Sequence, residues 1–275
     1  SLDDFHLPDC VDTALATAAL AAQSKGLTLA CIVAPDLQPW RLGDALRIRQ
    51  ILLNLLGNAI KFTPSGDVTL HITQGAQEHA VHISVTDTGV GIGADSLPTI
   101  FEPFRQADDG ANRRFGGSGL GLSIVHQLVL AMGGAISVHS QLGQGSRFDI
   151  DLPLPSANTL PAPPAPLSIP MAYFEPHEPS ALALDAQLKL LGCQGQRVFT
   201  AQGLQRWLLA LVPDGARPWL LLACDNTQAR QVLEGAVDLL EPECLIGMTR
   251  GGSAANDAVA NPLKLPHNIV KPVLR

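Results

Sequence analysis

The sequence predicts two α/β units in series, and three observations predict them. Up to about residue 152, amphipathic helices alternate with strands whose apolar positions recur every second residue. From about residue 169, short apolar strands alternate with helices, the rhythm of a parallel, doubly wound sheet. Between them, residues 153–168 are crowded with proline, which has no amide proton to give a helix or a ladder. The expected organisation is therefore a first domain over 1–152, a proline-rich linker over 153–168 and a second domain over 169–275.

In the first domain, residues 9–25 read as a helix and 27–33 as a strand. Gly43-Asp44 then opens a long helix, with Asp44 placed to cap its first turn. Ile48, Ile51, Leu52, Leu55, Leu56 and Ala59 follow 3.6-residue spacing and form its apolar face. Gln50, Asn54, Asn58 and Lys61 fall on another face, and Pro64-Ser-Gly66 ends the helical region. Val68, Leu70 and Ile72 alternate with polar residues, as do Val81, Ile83 and Val85, so both runs read as half-buried strands. Asp87 shares the parity of the second run. It is expected on the covered face, where a carboxylate requires a hydrogen-bond donor. Residues 118–132 read as a helix, and 136–140 with 146–152 as a closing hairpin around Gly143-Gln-Gly145. In the second domain, strands are expected at 171–174, 196–199, 219–224, 244–249 and 268–270. Helical stretches such as 180–191 and 227–240 lie between them. The chain stops just after the fifth strand, so the last helix of such a fold is expected to be missing or to lie beyond this sequence.

Composition narrows the function. With 46% hydrophobic and 16% charged residues, the chain can bury a core and is not globally disordered. A formal charge of -7 with no long basic block argues against nucleic acid as the main partner. The five cysteines form no CxxC pair, and no His or Cys cluster has zinc spacing. No apolar run is long enough to span a bilayer, and no signal peptide is evident. The abrupt start reads as a cut, so the chain is expected to be a soluble piece, not itself membrane-inserted, of a longer parent that could still be a membrane protein.

Four clusters carry chemistry. Asn54 and Asn58 stand one helical turn apart and present two amide oxygens, suited to Mg²⁺ that takes most of its ligands from phosphate and water. Lys61 on the same stripe could reach a phosphate, although a solvated polar helix face explains the cluster equally well. Asp87-Thr-Gly89-Val-Gly91-Ile92 ends a strand. A buried carboxylate there can accept from the adenine amino group and would repel the guanine carbonyl. Phe101-Glu-Pro-Phe104, followed by Arg105 and by Arg113-Arg114, reads as a loop with aromatic anchors whose arginines either clamp phosphate or are solvated. Gly116-Gly-Ser-Gly-Leu-Gly-Leu122 enters a helix, so backbone amides at its positive end can face phosphate. No GK[ST] follows it and no strand directly precedes it, so it is neither a Walker loop nor a dinucleotide fingerprint.

The order of these clusters resembles the catalytic and ATP-binding domain of sensor histidine kinases. That domain's two-layer α/β sandwich, the Bergerat or GHKL ATPase fold, is shared with gyrase, Hsp90-type and MutL-type ATPases. Asn54 to Thr63 resembles the family's N box, Asp87 to Gly91 its G1 box, Phe101 to Phe104 its F box and Gly117 to Leu122 its G2 box. Gly143-Gln-Gly145-Ser146 resembles the later glycine motif. The resemblance implies ATP and Mg²⁺ as cofactors, with Asn58 on the metal and Asn54 assisting. It implies Lys61, Arg113 and Arg114 near phosphates, Phe62 and Ile92 beside the base, and Asp87 reading adenine. Gly89, Gly91, Phe104, Gly117, Ser118, Gly119, Leu120, Gly121 and Leu122 would line the nucleotide, and 101–116 would be the ATP lid.

The second domain resembles a response-regulator receiver, a flavodoxin-like doubly wound fold, with its chemistry reduced. Cys244 to Thr249 resembles the fourth strand with its hydroxyl residue, and Lys271-Pro272 the family's Lys-Pro. The acidic pair is cut to Glu175 beside Pro176, and either Cys224 or Asp225 falls near the phosphoacceptor position. Without paired acids, Mg²⁺ is held poorly, which points to a pseudo-receiver.

Together the parts resemble a hybrid sensor histidine kinase of the BarA/GacS type, whose γ-phosphate goes to a histidine on dimerisation and phosphotransfer helices absent here. The implied partners are those helices, a downstream receiver or phosphotransfer domain, and another sensor kinase. The implied location is the cytoplasmic portion of a bacterial inner-membrane protein. No histidine has the acceptor context: His6 is expected near a strand start, His126 on the helix after Gly121, and His71 and His82 facing solvent. The chain is therefore expected to bind ATP without autophosphorylating. Two rivals stand beside this reading: an ATP hydrolase of the same fold, disfavoured because Asn54 is a poor base, and an interaction module whose second domain only binds.

Overall fold

The computed structural model describes residues 2–104, 119–157, 169–211, 217–224, 226–234, 239–250 and 267–271. The chain divides into two compact units, Ser1–Pro161 and Ala162–Arg275.

The first unit opens with β1 (Asp3–His6) and α1 (Leu7–Ser24), followed by β2 (Thr28–Val33) and β3 (Trp40–Gly43). Helix α2 (Ala45–Phe62) leads to β4 (Asp67–Gln74) and β5 (Ala80–Asp87). Helix α3 (Gly121–Ala131) precedes the hairpin β6 (Ala135–Gln141) and β7 (Gly145–Pro153). The main sheet has the order β2-β4-β5-β7-β6, parallel between β2 and β4 and antiparallel elsewhere.

Local chemistry sets these boundaries. The Asp44 carboxylate accepts from the Arg47 amide at 3.1 Å and caps α2. At the other end, Lys25 Nζ donates to the Ile60 and Lys61 carbonyls at 2.7 Å each, satisfying last-turn acceptors and favouring the negative helix end. Ile48, Ile51, Leu52, Leu55 and Leu56 are fully buried and meet Val68, Leu70, Ile72, Val81, Ile83 and Val85 in one core. Each such burial contributes about 1.5–3 kcal/mol. The other sheet face carries a polar lattice. His82 lies 3.2 Å from Asp149 and 3.0 Å from Asp151, and Arg147 bonds both Asp149 and Ser84. His82 thus faces away from the core as expected, but between two carboxylates.

Strands β1 and β3 pair antiparallel in a small second sheet, which no periodicity in the sequence marks. His6 ends β1 and precedes α1, where it was expected near a strand start. Helix α3 begins at Gly121, later than the expected 118. The proline-rich stretch also begins as ordered chain. Strand β7 runs to Pro153, Ser156 bridges Arg41, Leu42 donates to the Pro155 carbonyl, and Ala157 donates to the Trp40 carbonyl. Residues 158–168 lie outside those described.

Arg41 fastens this exit. It is 1% exposed and donates to the carbonyls of Gln38 and Leu154 and to Gln74 Oε1. Burial pulls its guanidinium down from the ordinary arginine range, because the charge loses water and the partners named here are neutral oxygens.

The second unit contains β8 (Pro170–Phe174), α4 (Glu178–Leu190), β9 (Gln194–Arg197), α5 (Ala201–Leu211), β10 (Trp219–Ala223), α6 (Gln228–Glu234), β11 (Leu245–Arg250) and β12 (His267–Lys271). Its sheet is parallel throughout, in the order β12-β11-β10-β8-β9. Counted within the unit, this is the flavodoxin-like order 2-1-3-4-5. The second strand starts and ends two residues earlier than expected, leaving Phe199 exposed. One core, around Phe174, Leu204, Leu208, Leu220 and Leu222, fills one sheet face. Another, around Tyr173, Leu184, Leu188, Leu221 and Met248, fills the other.

The Arg41 clamp yields a stability prediction. Arg41→Ala, which empties a buried site and strips the Leu154 carbonyl of its donor, should lower the unfolding free energy by about 2–4 kcal/mol. Urea unfolding of the chain measures this. A loss under about 0.5 kcal/mol would mean that the exit segment does not depend on Arg41.

Candidate nucleotide site

The site grows from the end of β5. Asp87 is 6% exposed and faces the helices, as its parity predicts. Its Oδ1 accepts from the Gly89 amide at 2.8 Å, and the Ser146 amide also donates to the carboxylate. Burial pushes the acid up from the ordinary aspartate range. The two amides pull it down without cancelling that rise.

The chain after Asp87 is clamped on both sides. Val90 donates to the Phe62 carbonyl at the end of α2, at 3.1 Å, and Gly143 donates to the Val90 carbonyl at 2.7 Å. Gly91 has φ of 69°, and a Cβ there would overlap the Gln141 carbonyl, so only glycine fits. The Ile92 amide donates to Ser140 Oγ at 2.8 Å, and Ser140 donates to the Gly145 carbonyl at 2.8 Å. Ser140 thus holds the candidate turn in place, a part that the sequence reading did not assign to it. Its signal was present: it shares the inward parity of Ile136 and Val138, where a hydroxyl needs a partner.

The asparagine stripe meets the glycine run. A Cβ placed on Gly121 would lie 3.4 Å from Asn54 Oδ1 and 3.7 Å from Asn58 Nδ2. The first turn of α3 therefore sits directly against the stripe on α2. Asn54 Nδ2 donates to the Gln50 carbonyl at 3.0 Å, which turns its oxygen toward Gly121. Leu120 gives its carbonyl to Ile124 in the first helical bond, so the amides that begin α3 have no carbonyl within the helix to bond. Lys61 Nζ sits 4.8 Å from the centroid of the Phe62 ring, a cation–π contact at the same helix end.

The two expected aromatic anchors differ in the surroundings of their rings, although the Phe104 amide is bonded to the Gly119 carbonyl. Phe101 stacks on His126 with centroids 5.1 Å apart, whereas Phe104 is 76% exposed. Phe104 also has φ of 63°, a backbone that costs a phenylalanine energy. Arg105, Arg113, Arg114, Gly116, Gly117 and Ser118 lie outside the described residues.

In the second unit, Glu175 directly follows the first strand, as the sequence suggested, and is 3% exposed. Its Oε1 accepts from the His177 amide at 3.1 Å, while Arg197 donates to its carbonyl and to the Glu178 carboxylate. Cys224 is buried, and its thiol turns back to the Leu222 carbonyl. Asp225, Pro272 and the side chains of Thr249 and Lys271 lie outside the described residues. Among the described residues, no group of three or more His, Cys, Asp or Glu is arranged to hold a metal. No helix among them is long and apolar enough to cross a membrane.

Comparison with known proteins places this geometry. Residues 43–156 match the family model described as histidine kinase-, DNA gyrase B-, and HSP90-like ATPase. Sensor protein GacS of Pseudomonas syringae pv. syringae is 40% identical over 198 residues, 69% of this chain and 22% of that protein. That share is more than the first unit contains, so the similarity reaches beyond it. BarA of Escherichia coli K12 is 40% identical over 147 residues, 52% of this chain and 16% of that protein. The chain thus spans about a fifth of the length of these relatives. Among solved structures, full-length ShkA in complex with AMPPNP matches 100% of this chain and 55% of its own, with a TM-score of 0.73 and 29% identity.

The buried carboxylate predicts a pH dependence. The folded chain holds the Asp87 proton to higher pH than the unfolded chain does, so this contribution to stability is complete at low pH. It is lost as pH rises through the raised folded value. Urea unfolding should show wild type losing stability relative to Asp87→Asn as pH rises above about 4, the ordinary aspartate value. A difference that stays flat, or moves in favour of wild type, would contradict the burial argument.

Proposed function

Because residues 43–156 match the model of the histidine kinase-, DNA gyrase B-, and HSP90-like ATPases, we propose that this chain is the ATP-binding catalytic part of a hybrid sensor histidine kinase. It would present the γ-phosphate to a histidine on separate dimerisation helices, in phosphorelay signalling. The observation that carries the reading is the contact of two distant segments: the first turn of α3 at Gly121 lies against Asn54 and Asn58 of α2. Beside it, Asp87 forms the acceptor floor.

In this reading Asp87 accepts from the adenine amino group, and the bends at Gly89 and Gly91 bring backbone close to the base. Phe62 and Ile92 flank it. Gly119, Leu120, Gly121 and Leu122, with Gly117 and Ser118 before them, turn amides toward the phosphates at the positive end of α3. Lys61, Arg113 and Arg114 add positive charge, and Phe104 borders the opening. The amide oxygen of Asn58, assisted by Asn54, fits a hard cation that keeps phosphate and water as its other ligands. Mg²⁺ bound there would neutralise phosphate charge. The residues themselves bind, orient and exclude water, which is most of what phosphoryl transfer requires. Asn54 is bonded through its amide to Gln50 and offers no base to activate water, which favours transfer over hydrolysis.

The domain boundaries proposed are a catalytic and ATP-binding domain over 1–152, a linker over 153–168 and a receiver-like domain over 169–275. Support for the last is the 2-1-3-4-5 strand order together with Glu175, the one buried acid among the described residues of this unit, directly after β8. We place it as a pseudo-receiver that engages a downstream receiver or phosphotransfer domain, or another sensor kinase. The setting is the cytoplasmic portion of a bacterial inner-membrane kinase.

A fluorescent ATP analogue tests the site. The chain should bind it in a Mg²⁺-dependent manner. Asp87→Asn should weaken binding about tenfold or more, since a good hydrogen bond to a charged group is worth roughly 1.5–3 kcal/mol. Asn58→Ala should remove most of the Mg²⁺ dependence. No binding at any Mg²⁺ concentration would leave the interaction-module reading in its place. Labelled ATP should give no acid-labile phosphohistidine on the chain alone.

A further inference from the structure

We infer that His126 is a positioning residue for the phosphate end of the bound nucleotide, acting through its stack on Phe101; the inference rests on the ATP site proposed above. His126 lies on α3, five residues beyond Gly121, which meets Asn54 and Asn58, and its ring is parallel to Phe101 within 21°, with centroids 5.1 Å apart. Phe101 follows a short 3-10 turn over Leu97–Thr99, and Glu102 donates back to the Thr99 carbonyl at 3.0 Å. Phe104 then donates its amide to the Gly119 carbonyl at 3.2 Å. Two contacts thus join the 97–104 segment to the start of α3: a ring stack on its outer side and a backbone bond at its root.

The geometry has a direct consequence. Gly119 and Leu120 immediately precede the first turn of α3, and Gly121 is the residue that meets the asparagine stripe. The stack holds Phe101, the Glu102 bond ties the residue after it to Thr99, and Phe104, three residues along the chain from Phe101, donates to Gly119. Hence the direction of the first amides of α3 depends on the His126 ring. The left-handed backbone at Phe104 fits this account, because a strained φ in a non-glycine residue persists only where its surroundings hold it. An imidazole suits the place, since it stacks like an arene while its nitrogens keep contact with water at a half-buried position.

The test uses the 275-residue chain, with a fluorescent ATP analogue displaced by ATP or by adenosine in the presence of Mg²⁺. Loss of a ring pair is worth about a threefold to tenfold change. His126→Ala should weaken ATP by about that factor while adenosine changes by less than about twofold. His126→Phe, which keeps the stack, should restore ATP affinity. A merely structural role would weaken both ligands together and lower the melting temperature without that selectivity. Phe101→Leu removes the other ring and should give the same selective loss, which keeps the test open if His126→Ala does not fold. Parallel weakening of ATP and adenosine, no rescue by His126→Phe, or wild-type affinity in His126→Ala would each overturn the inference. Failure of the wild-type chain to bind either ligand would instead overturn the ATP site, so the two failures are distinguishable.

Discussion

A carboxylate buried at the end of a sheet strand is the constraint around which the first unit is built. Asp87 loses most of its hydration, and the amides of Gly89 and Ser146 return only part of what water supplied. That residual cost explains the local construction. The strand must turn at once for Gly89 to reach back, and the turn is gripped by the Phe62 carbonyl and by the β6–β7 hairpin. A floor with unused acceptor capacity is unfavourable in an empty fold and useful to a ligand that brings a donor.

The rest of the unit fixes that carboxylate relative to the polar stripe of α2 and the first turn of α3. The apolar face of α2 is buried on the sheet, so its polar stripe is fixed relative to Asp87. Helix α3 then delivers Gly121 to the stripe. Capping at Asp44 and at Lys25 keeps both ends of α2 from fraying. The outer sheet face, with its lattice of His82, Asp149, Asp151, Arg147 and Ser84, takes no part in this arrangement.

Much of this was legible in the sequence because it follows from period and parity. The period of 3.6 residues placed Ile48 to Ala59 on one face and Asn54 and Asn58 on another, and a period of two turned Asp87 inward. Strand–helix alternation gave the doubly wound sheet of the second unit. What stayed hidden depends on contacts between distant residues. Strands β1 and β3 are too short to show a period, and their pairing became visible only in the fold. Residues 154–157 looked like the start of a linker because proline cannot extend a ladder. Yet the Pro155 carbonyl still accepts from Leu42, and Arg41 reaches the Leu154 carbonyl from more than a hundred positions away in sequence. Ser140 and His126 were likewise plain strand and helix residues until Ile92 and Phe101 were seen beside them.

Amide hydrogen exchange with and without Mg²⁺ and ATP tests the central claim most directly, because it reads both ends of the site at once. The account predicts that nucleotide slows exchange together at the Gly89–Ile92 turn and at the first turn of α3, while the open sheet face is unchanged. Protection confined to the second unit, or none at either end of the site, would contradict it.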